Sequence, residues 1–205
     1  MVDFSIENEH RNKGCSVICG VDEAGRGPLA GPVYAAAVIL SPDTVIVGLN
    51  DSKKLTEKKR EALFPVIQEK ALAYGIGFAT EQEIDEINIL NATFLAMRRA
   101  VEQLQITPQL LLIDGNQKPK TGICEEVTVI KGDAKSMSIA AASVLAKVSR
   151  DRFMLELAKE YPQYAFEQHK GYGTKLHYER ISQYGIAPIH RKSFLKKIIG
   201  ENANG

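Results

Sequence analysis

The chain has 205 residues, 44% of them hydrophobic and 25% charged, with a formal net charge of +1. That suffices for one domain with a sizeable core and a small helical appendage. It excludes a membrane-spanning segment, since no apolar run is long enough, and it excludes a globally basic nucleic-acid binder, so any basic surface must be local.

Cys15, Cys19 and Cys124 form no C-x-x-C pair and are odd in number, as reduced thiols of a cytoplasmic protein would be. Residues 1–14 are polar, with Glu7, Glu9, Arg11 and Lys13, and lack the apolar centre of a signal peptide. They read as a short, loosely ordered lead-in. Residues 16–21 and 33–40 are rich in Val, Ile and Ala and bounded by Gly and Pro, which predicts two strands. Asp22 and Glu23 follow the first strand, and the turn Gly25-Arg26-Gly27-Pro28-Leu29-Ala30 comes next.

That turn fits the dinucleotide fingerprint G-x-G-x-x-A, but the fingerprint needs a helix opening at the glycines. Pro28, Gly31 and Pro32 interrupt any helix. No Gly-Lys-Ser/Thr follows, so a Walker loop is excluded. Paired carboxylates beside a flexible backbone and one fixed cation are the parts of a metal-dependent phosphodiester site. Spacing alone leaves open a plain tight connection between strands with solvated acids.

Residues 45–49 suggest a short extended piece. Residues 51–60 carry five basic side chains against two acids, and Thr56 or Ser52 can cap a helix running toward Lys70. The lysines after Thr56 read as a solvated face, whereas Ser52, Lys53 and Lys54 precede the helix, where donors can meet a phosphate. Residues 71–79 predict a third strand and 81–87 a short acidic helix. Residues 91–104 form an amphipathic helix with Phe94, Leu95, Met97, Val101 and Leu104 inward. Asn88 and Asn91 read as cap or turn residues. The continuous apolar run 110–113 suits a strand covered on both faces, ended by Asp114 before Gly115-Asn116.

Residues 127–130 predict the last strand, and Lys131-Gly132-Asp133 is a third acidic junction. The helix from about 136 to 161 is small and apolar nearly all round in its first half, hence buried. Taken singly, Asp114 can be a turn former, Asp133 a helix N-terminal charge, and Ser136, Ser138, Ser143 and Lys147 cap or surface residues. Asp151 with Arg150 and Arg152 reads as a surface ion-pair cluster. Residues 161–205 hold seven Lys/Arg against three Asp/Glu, together with tyrosines and histidines, a mixture suited to phosphates and flat stacking. Tyr172 stands between two glycines, a setting a core tyrosine does not need. A helix over 176–184 is ended by Gly185 and Pro188. No histidine pair has metal-ligand spacing, and 200–205 reads as disordered.

The run D-E-A-G-R-G-P-L-A-G-P-V (22–33) resembles the first motif of type 2 ribonucleases H, the bacterial ribonuclease HII family. The resemblance extends through D-S-K-K-L (51–55), L-I-D-G-N (112–116), K-G-D-A-K-S (131–136), S-I-A-A-A-S-V-L-A-K-V (138–148) and H-K-G-Y-G-T (169–174), nearly the whole chain. It implies an α/β ribonuclease H-like fold with a central mixed sheet flanked by helices. Residues 15–161 would be the catalytic core and 162–205 a small helical substrate-binding region packed on it.

It further implies an endoribonuclease acting on RNA in RNA–DNA hybrids and cutting 5′ of single ribonucleotides in duplex DNA, leaving 3′-hydroxyl and 5′-phosphate ends. Asp22, Glu23, Asp114 and Asp133 would hold two Mg²⁺ or Mn²⁺ ions, with Asp22 and Asp114 as the principal ligands. Gly25, Arg26 and Gly27 would read the 2′-hydroxyl. Ser52, Lys53 and Lys54 would touch the backbone, and Tyr172 would stack at the RNA-to-DNA junction. A monomer without membrane contact, serving ribonucleotide removal, is expected. The rivals are a non-catalytic hybrid-binding module and a dinucleotide-dependent enzyme.

Overall fold

The computed structural model describes residues 2–196; the expected disorder at 200–205 falls outside them. Five strands form one sheet: β1 (Ile18–Ala24), β2 (Val33–Leu40), β3 (Ala71–Ala79), β4 (Leu110–Asp114) and β5 (Glu125–Val129). Their order is β3-β2-β1-β4-β5, with β1, β2 and β3 antiparallel and β1, β4 and β5 parallel. The sheet is therefore mixed, as expected. The helices are α1 (Ser5–Arg11), α2 (Glu57–Lys70), α3 (Glu81–Glu102), α4 (Met137–Glu160), α5 (Phe166–His169) and α6 (Lys175–Tyr184).

Strand alternation explains the layering, because successive side chains point to opposite faces. Cys19, Val21, Val33, Ala35, Ala37 and Ile39 pack under α3 with Ala96, Met97 and Ala100. Ala36, Val38 and Leu40 face α2 and α4. The alanine-rich first half of α4 is buried, which lets its backbone approach the sheet. A third cluster joins Met154 and Leu157 of α4 to Tyr164, Phe166, Ile181 and Ile189, and also to Leu29 and Ala30 of the turn after β1. The residues beyond 161 thus share a core with the turn that carries Gly25, Arg26 and Gly27.

Several expectations need correction. Residues 5–11 form α1, whose Glu7 is buried, in place of a loosely ordered lead-in. No strand forms over 45–49, because Pro42, Asp43 and Gly48 favour turns. The two helices expected at 81–87 and 91–104 do stand, within the span α3, parted by non-helical backbone at Asn88, a residue expected to cap or turn. Arg150 and Asp151 are buried rather than part of a surface cluster. No helix opens at the glycine turn, which runs straight into β2, so the pyrophosphate-binding arrangement of a dinucleotide site is missing.

Candidate active site

Parallel pairing sets Val21 of β1 beside Ile113 of β4. The next residues, Asp22 and Asp114, therefore stand side by side at the carboxyl ends of adjacent strands, where α/β sheets gather ligands. β5 is the next neighbour. The chain leaves it through Lys131, whose left-handed backbone (φ 56°, ψ 44°) turns it into a short 3-10 segment, Gly132–Ala134, bearing Asp133. Three stretches far apart in sequence thus bring Asp22, Asp114 and Asp133 together, with one carboxylate oxygen of each within 4.8 Å of the others.

Backbone donors hold two of these acids. The Glu23 N–H donates to Asp22 Oδ1 at 2.7 Å, and the Gly132 N–H to Asp114 Oδ1 at 2.6 Å. Lys53 Nζ donates to Asp133 Oδ2 at 3.4 Å. Glu23 lies beside Arg26, Oε1 to Nη1 3.5 Å, and faces a cleft of about 170 Å³ shared with Asp114 and Asn116.

The electrostatics are those of a site short of positive charge. Burial, then the charges of Glu23 and Asp114, push the Asp22 carboxyl well above its usual range, against the Ser143 hydroxyl, which lowers it. Burial also raises Glu23, partly offset by Arg26, and raises Asp133, with Asp114 adding to the shift. Burial works against the charged form of Lys53, but Asp133 and Asp22 outweigh it and raise its pKa. Carboxylates this close favour protonation unless a cation intervenes. Hard oxygen donors with excess negative charge fit a divalent ion of the Mg²⁺ or Mn²⁺ type.

The other expected residues divide. Gly25 has φ +95°, and a Cβ there would collide with the Arg150 guanidinium, so both backbone and space demand glycine. A Cβ on Gly27 would lie 3.8 Å from the Tyr172 ring, which places the glycine turn and the tyrosine on one surface. Tyr172 is 41% exposed, with Lys147 Nζ 5.8 Å and the Arg150 guanidinium 5.7 Å from its ring centroid. Lys53 and Lys54 are exposed. Ser52 is buried, and its hydroxyl pairs with Ser143 at 2.5 Å. Its side chain is thus turned from solvent.

Residue types that read as surface charge turn out to support the site. Arg191 is fully buried and donates to the carbonyls of Gly25 (2.7 Å), Arg26 (3.0 Å) and Gly31 (2.8 Å). Arg150 donates to Ala30, Pro32 and Lys170. Burial pushes the Arg191 pKa down to about 9. Both guanidiniums bind backbone oxygens, so they fix the turn without neutralising the acids. Their sequence neighbours, Ser149 and Asp151 for Arg150 and His190 and Lys192 for Arg191, give no sign of this.

A family profile described as Ribonuclease HII matches residues 19–197. The chain belongs to the ribonuclease HII family. It is 58% identical to the Ribonuclease HII of Clostridioides difficile over 194 residues, covering 95% of this chain and 76% of that protein. The Ribonuclease HII of Caldicellulosiruptor bescii is 56% identical over 196 residues, 96% of this chain and 95% of that one. Among solved structures, the ribonuclease H2 of Pyrococcus horikoshii OT3 superposes with a TM-score of 0.73 at 30% identity, covering 86% of this chain and 93% of that chain. An archaeal relative, the RNase HII of Archaeoglobus fulgidus solved in complex with PCNA, gives 0.70 at 25% identity, covering 85% and 93%. As a ribonuclease HII family member the chain is a metal-dependent hydrolase, an endoribonuclease acting on RNA in RNA–DNA hybrids. Among the described residues no helix is long and apolar enough to cross a membrane.

Proposed function

We propose that this ribonuclease also cuts duplex DNA on the 5′ side of a single embedded ribonucleotide, leaving a 3′-hydroxyl and a 5′-phosphate, as a monomer of the cytoplasm serving ribonucleotide removal during replication and repair. The observation that carries this is the shared surface of Gly27 and Tyr172, beside the turn that leads out of Asp22 and Glu23 at the end of β1. One face then offers both chemistry and a means of reading the sugar.

Asp22 and Asp114 would be the principal ligands of two Mg²⁺ or Mn²⁺ ions, with Glu23 and Asp133 each holding one ion or its water. When bound, such ions supply activation of water and stabilisation of the leaving oxygen during in-line displacement. The protein's own groups do the rest. Lys53 offsets charge at Asp133 and, with Lys54, faces the phosphate backbone. Gly25, Arg26 and Gly27 would read the 2′-hydroxyl, the group that distinguishes RNA from DNA; the bare Gly27 permits close approach, while the missing Cβ of Gly25 makes room for Arg150 behind the turn. Tyr172 stacks on the neighbouring deoxyribose.

The test is a DNA duplex with one ribonucleotide, 5′-labelled and incubated with Mg²⁺, Mn²⁺ or chelator. A single cut 5′ to the ribonucleotide is expected, absent with chelator. Asp22→Asn should slow it about a thousand-fold, since losing roughly 4 kcal/mol of transition-state stabilisation costs that much. An intact duplex alongside a cleaved long hybrid would overturn the junction-reading assignment while leaving the hydrolase.

A further inference from the structure

The amino-terminal segment touches the site from behind. The Asp3 N–H donates to the Lys135 carbonyl at 3.3 Å, and the Met137 N–H donates to the Asp3 carbonyl at 3.0 Å, so Asp3 makes a parallel bridge with Ser136. Four residues on, the fully buried Glu7 accepts from the Ser136 hydroxyl at 2.7 Å and from the Ser138 N–H at 2.9 Å, both on Oε1. Ser136 in turn caps α4 by accepting from the Ile139 N–H at 3.2 Å. The carboxylate therefore sits at the amino end of a 24-residue helix, where the backbone favours negative charge. The segment is seated by apolar contacts as well. Phe4 packs with the α2 and α4 cluster, and Ile6 packs with Ile18, Leu110, Leu112 and Ile139.

What it holds is the turn carrying Asp133. The Lys135 and Ser136 N–H groups both donate to Gly132 O, at 2.9 and 2.8 Å, while the Gly132 N–H holds Asp114. A Cβ on Gly20 would collide with the Ser138 backbone, so the first turn of α4 also lies directly against β1, two residues before Asp22. Displacement of residues 135–138 would be felt at three of the acids.

We infer that residues 3–7 are a positioning element for the metal site, with Glu7 as the positioning residue that fixes Asp133 through Ser136 and Ser138; this rests on the reading of Asp133 as a metal ligand. Glu7 touches neither substrate nor ion. Its loss should loosen the 132–138 segment and weaken metal binding, with little effect on substrate affinity.

The experiment uses the full chain as wild type, Glu7→Ala, Glu7→Gln and Asp133→Asn. In metal-free protein, amides of 132–138 should exchange with deuterium at least about ten-fold faster in Glu7→Ala, since local opening sets exchange, while those of α6 keep their rates. In cleavage assays the Mg²⁺ midpoint should rise about ten-fold, the low end for a residue behind the ligands, with KM for the duplex unchanged. Glu7→Gln retains an acceptor oxygen and should recover much of both. Should Glu7→Ala fail to fold, Ile6→Ala loosens the same helix without touching its polar contacts and carries the same two readouts. Unchanged exchange over 132–138, or an unmoved metal midpoint, would overturn the positioning role. An unmoved midpoint in Asp133→Asn would instead remove the ligand assignment beneath it.

Discussion

Tyr172 has a ring two-fifths exposed, lying near two cations and the bare Gly27. Its backbone is anchored from beneath. Histidine tautomers follow from the partners: the His177 Nδ1–H must donate to the Tyr172 carbonyl at 3.0 Å, so its Nε2 accepts from His190 Nε2–H at 3.1 Å. His190 Nδ1 then accepts from the Ala187 N–H at 3.0 Å. A held backbone with a free ring is the arrangement a stacking platform needs. Stacking of this kind is worth about 1–3 kcal/mol, so Tyr172→Ala should slow cleavage at a single ribonucleotide by roughly five- to 150-fold. Tyr172→Phe, which keeps the ring, should stay within about two-fold of wild type. Long hybrids present ribose at every step and should be cut by Tyr172→Ala at a rate closer to normal. Equal losses on both substrates, measured as kcat/KM, would mean that the ring serves general binding and not the junction.

At the scale of elements, the strands and their terminal acids were legible because burial and chemistry coincide in the pattern. An unbroken apolar run ending in Asp, as at 110–114, is what a strand covered on both faces and open at one end requires, and β3 runs from Ala71 to Ala79 as its alternation predicts. What escaped was charge used against pattern. Arg150, Arg191 and Glu7 look like surface residues by type, and only tertiary carbonyls and a helix end make their burial tolerable. The break at Asn88, by contrast, was legible: one helix ending at 87, another beginning at 91 and asparagines suited to a cap or turn between them match the non-helical backbone found there. Asn88 has φ 66° and ψ 164°, and its Oδ1 accepts from the Leu90 and Asn91 N–H groups at 3.0 and 3.1 Å, capping the second half of α3. Asn88→Ala keeps a Cβ in this strained region, as Asn does, and loses the cap, worth about 1 kcal/mol. Asn88→Gly loses the cap but relieves the backbone. Urea unfolding should show the alanine variant less stable than wild type by about 1 kcal/mol and the glycine variant, which sheds the Cβ strain, at least as stable as wild type. Equal stability of the two would mean that backbone strain at the kink is negligible.

Across the whole molecule, two buried sets of titratable groups pull stability in opposite directions with pH. Burial lowers His177 and His190 from 6.5 to about 4. The unfolded chain therefore binds protons that the folded one refuses, and the stability associated with these rings is complete above about pH 6.5 and lost as pH falls toward about 4. Asp22, Glu23 and Asp133 are raised instead. Their contribution is complete below the ordinary carboxylate range and declines as pH rises through their folded values, so above that range the metal-free protein bears the cost of crowding these acids together, as repulsion where they ionise and as forced protonation where they do not. Metal binding should remove that cost. Thermal unfolding of metal-free protein at pH 7.5 should thus show a rising midpoint on adding Mg²⁺. Asp22→Asn relieves repulsion at the price of the site. Its metal-free midpoint should exceed that of wild type by about 2–4 °C for each kcal/mol relieved, and Mg²⁺ should then add little. A metal-free Asp22→Asn protein less stable than wild type at pH 7.5 would show that the charge-assisted bond from the Glu23 N–H, which an Asn oxygen accepts more weakly, outweighs the crowding of charge at Asp22.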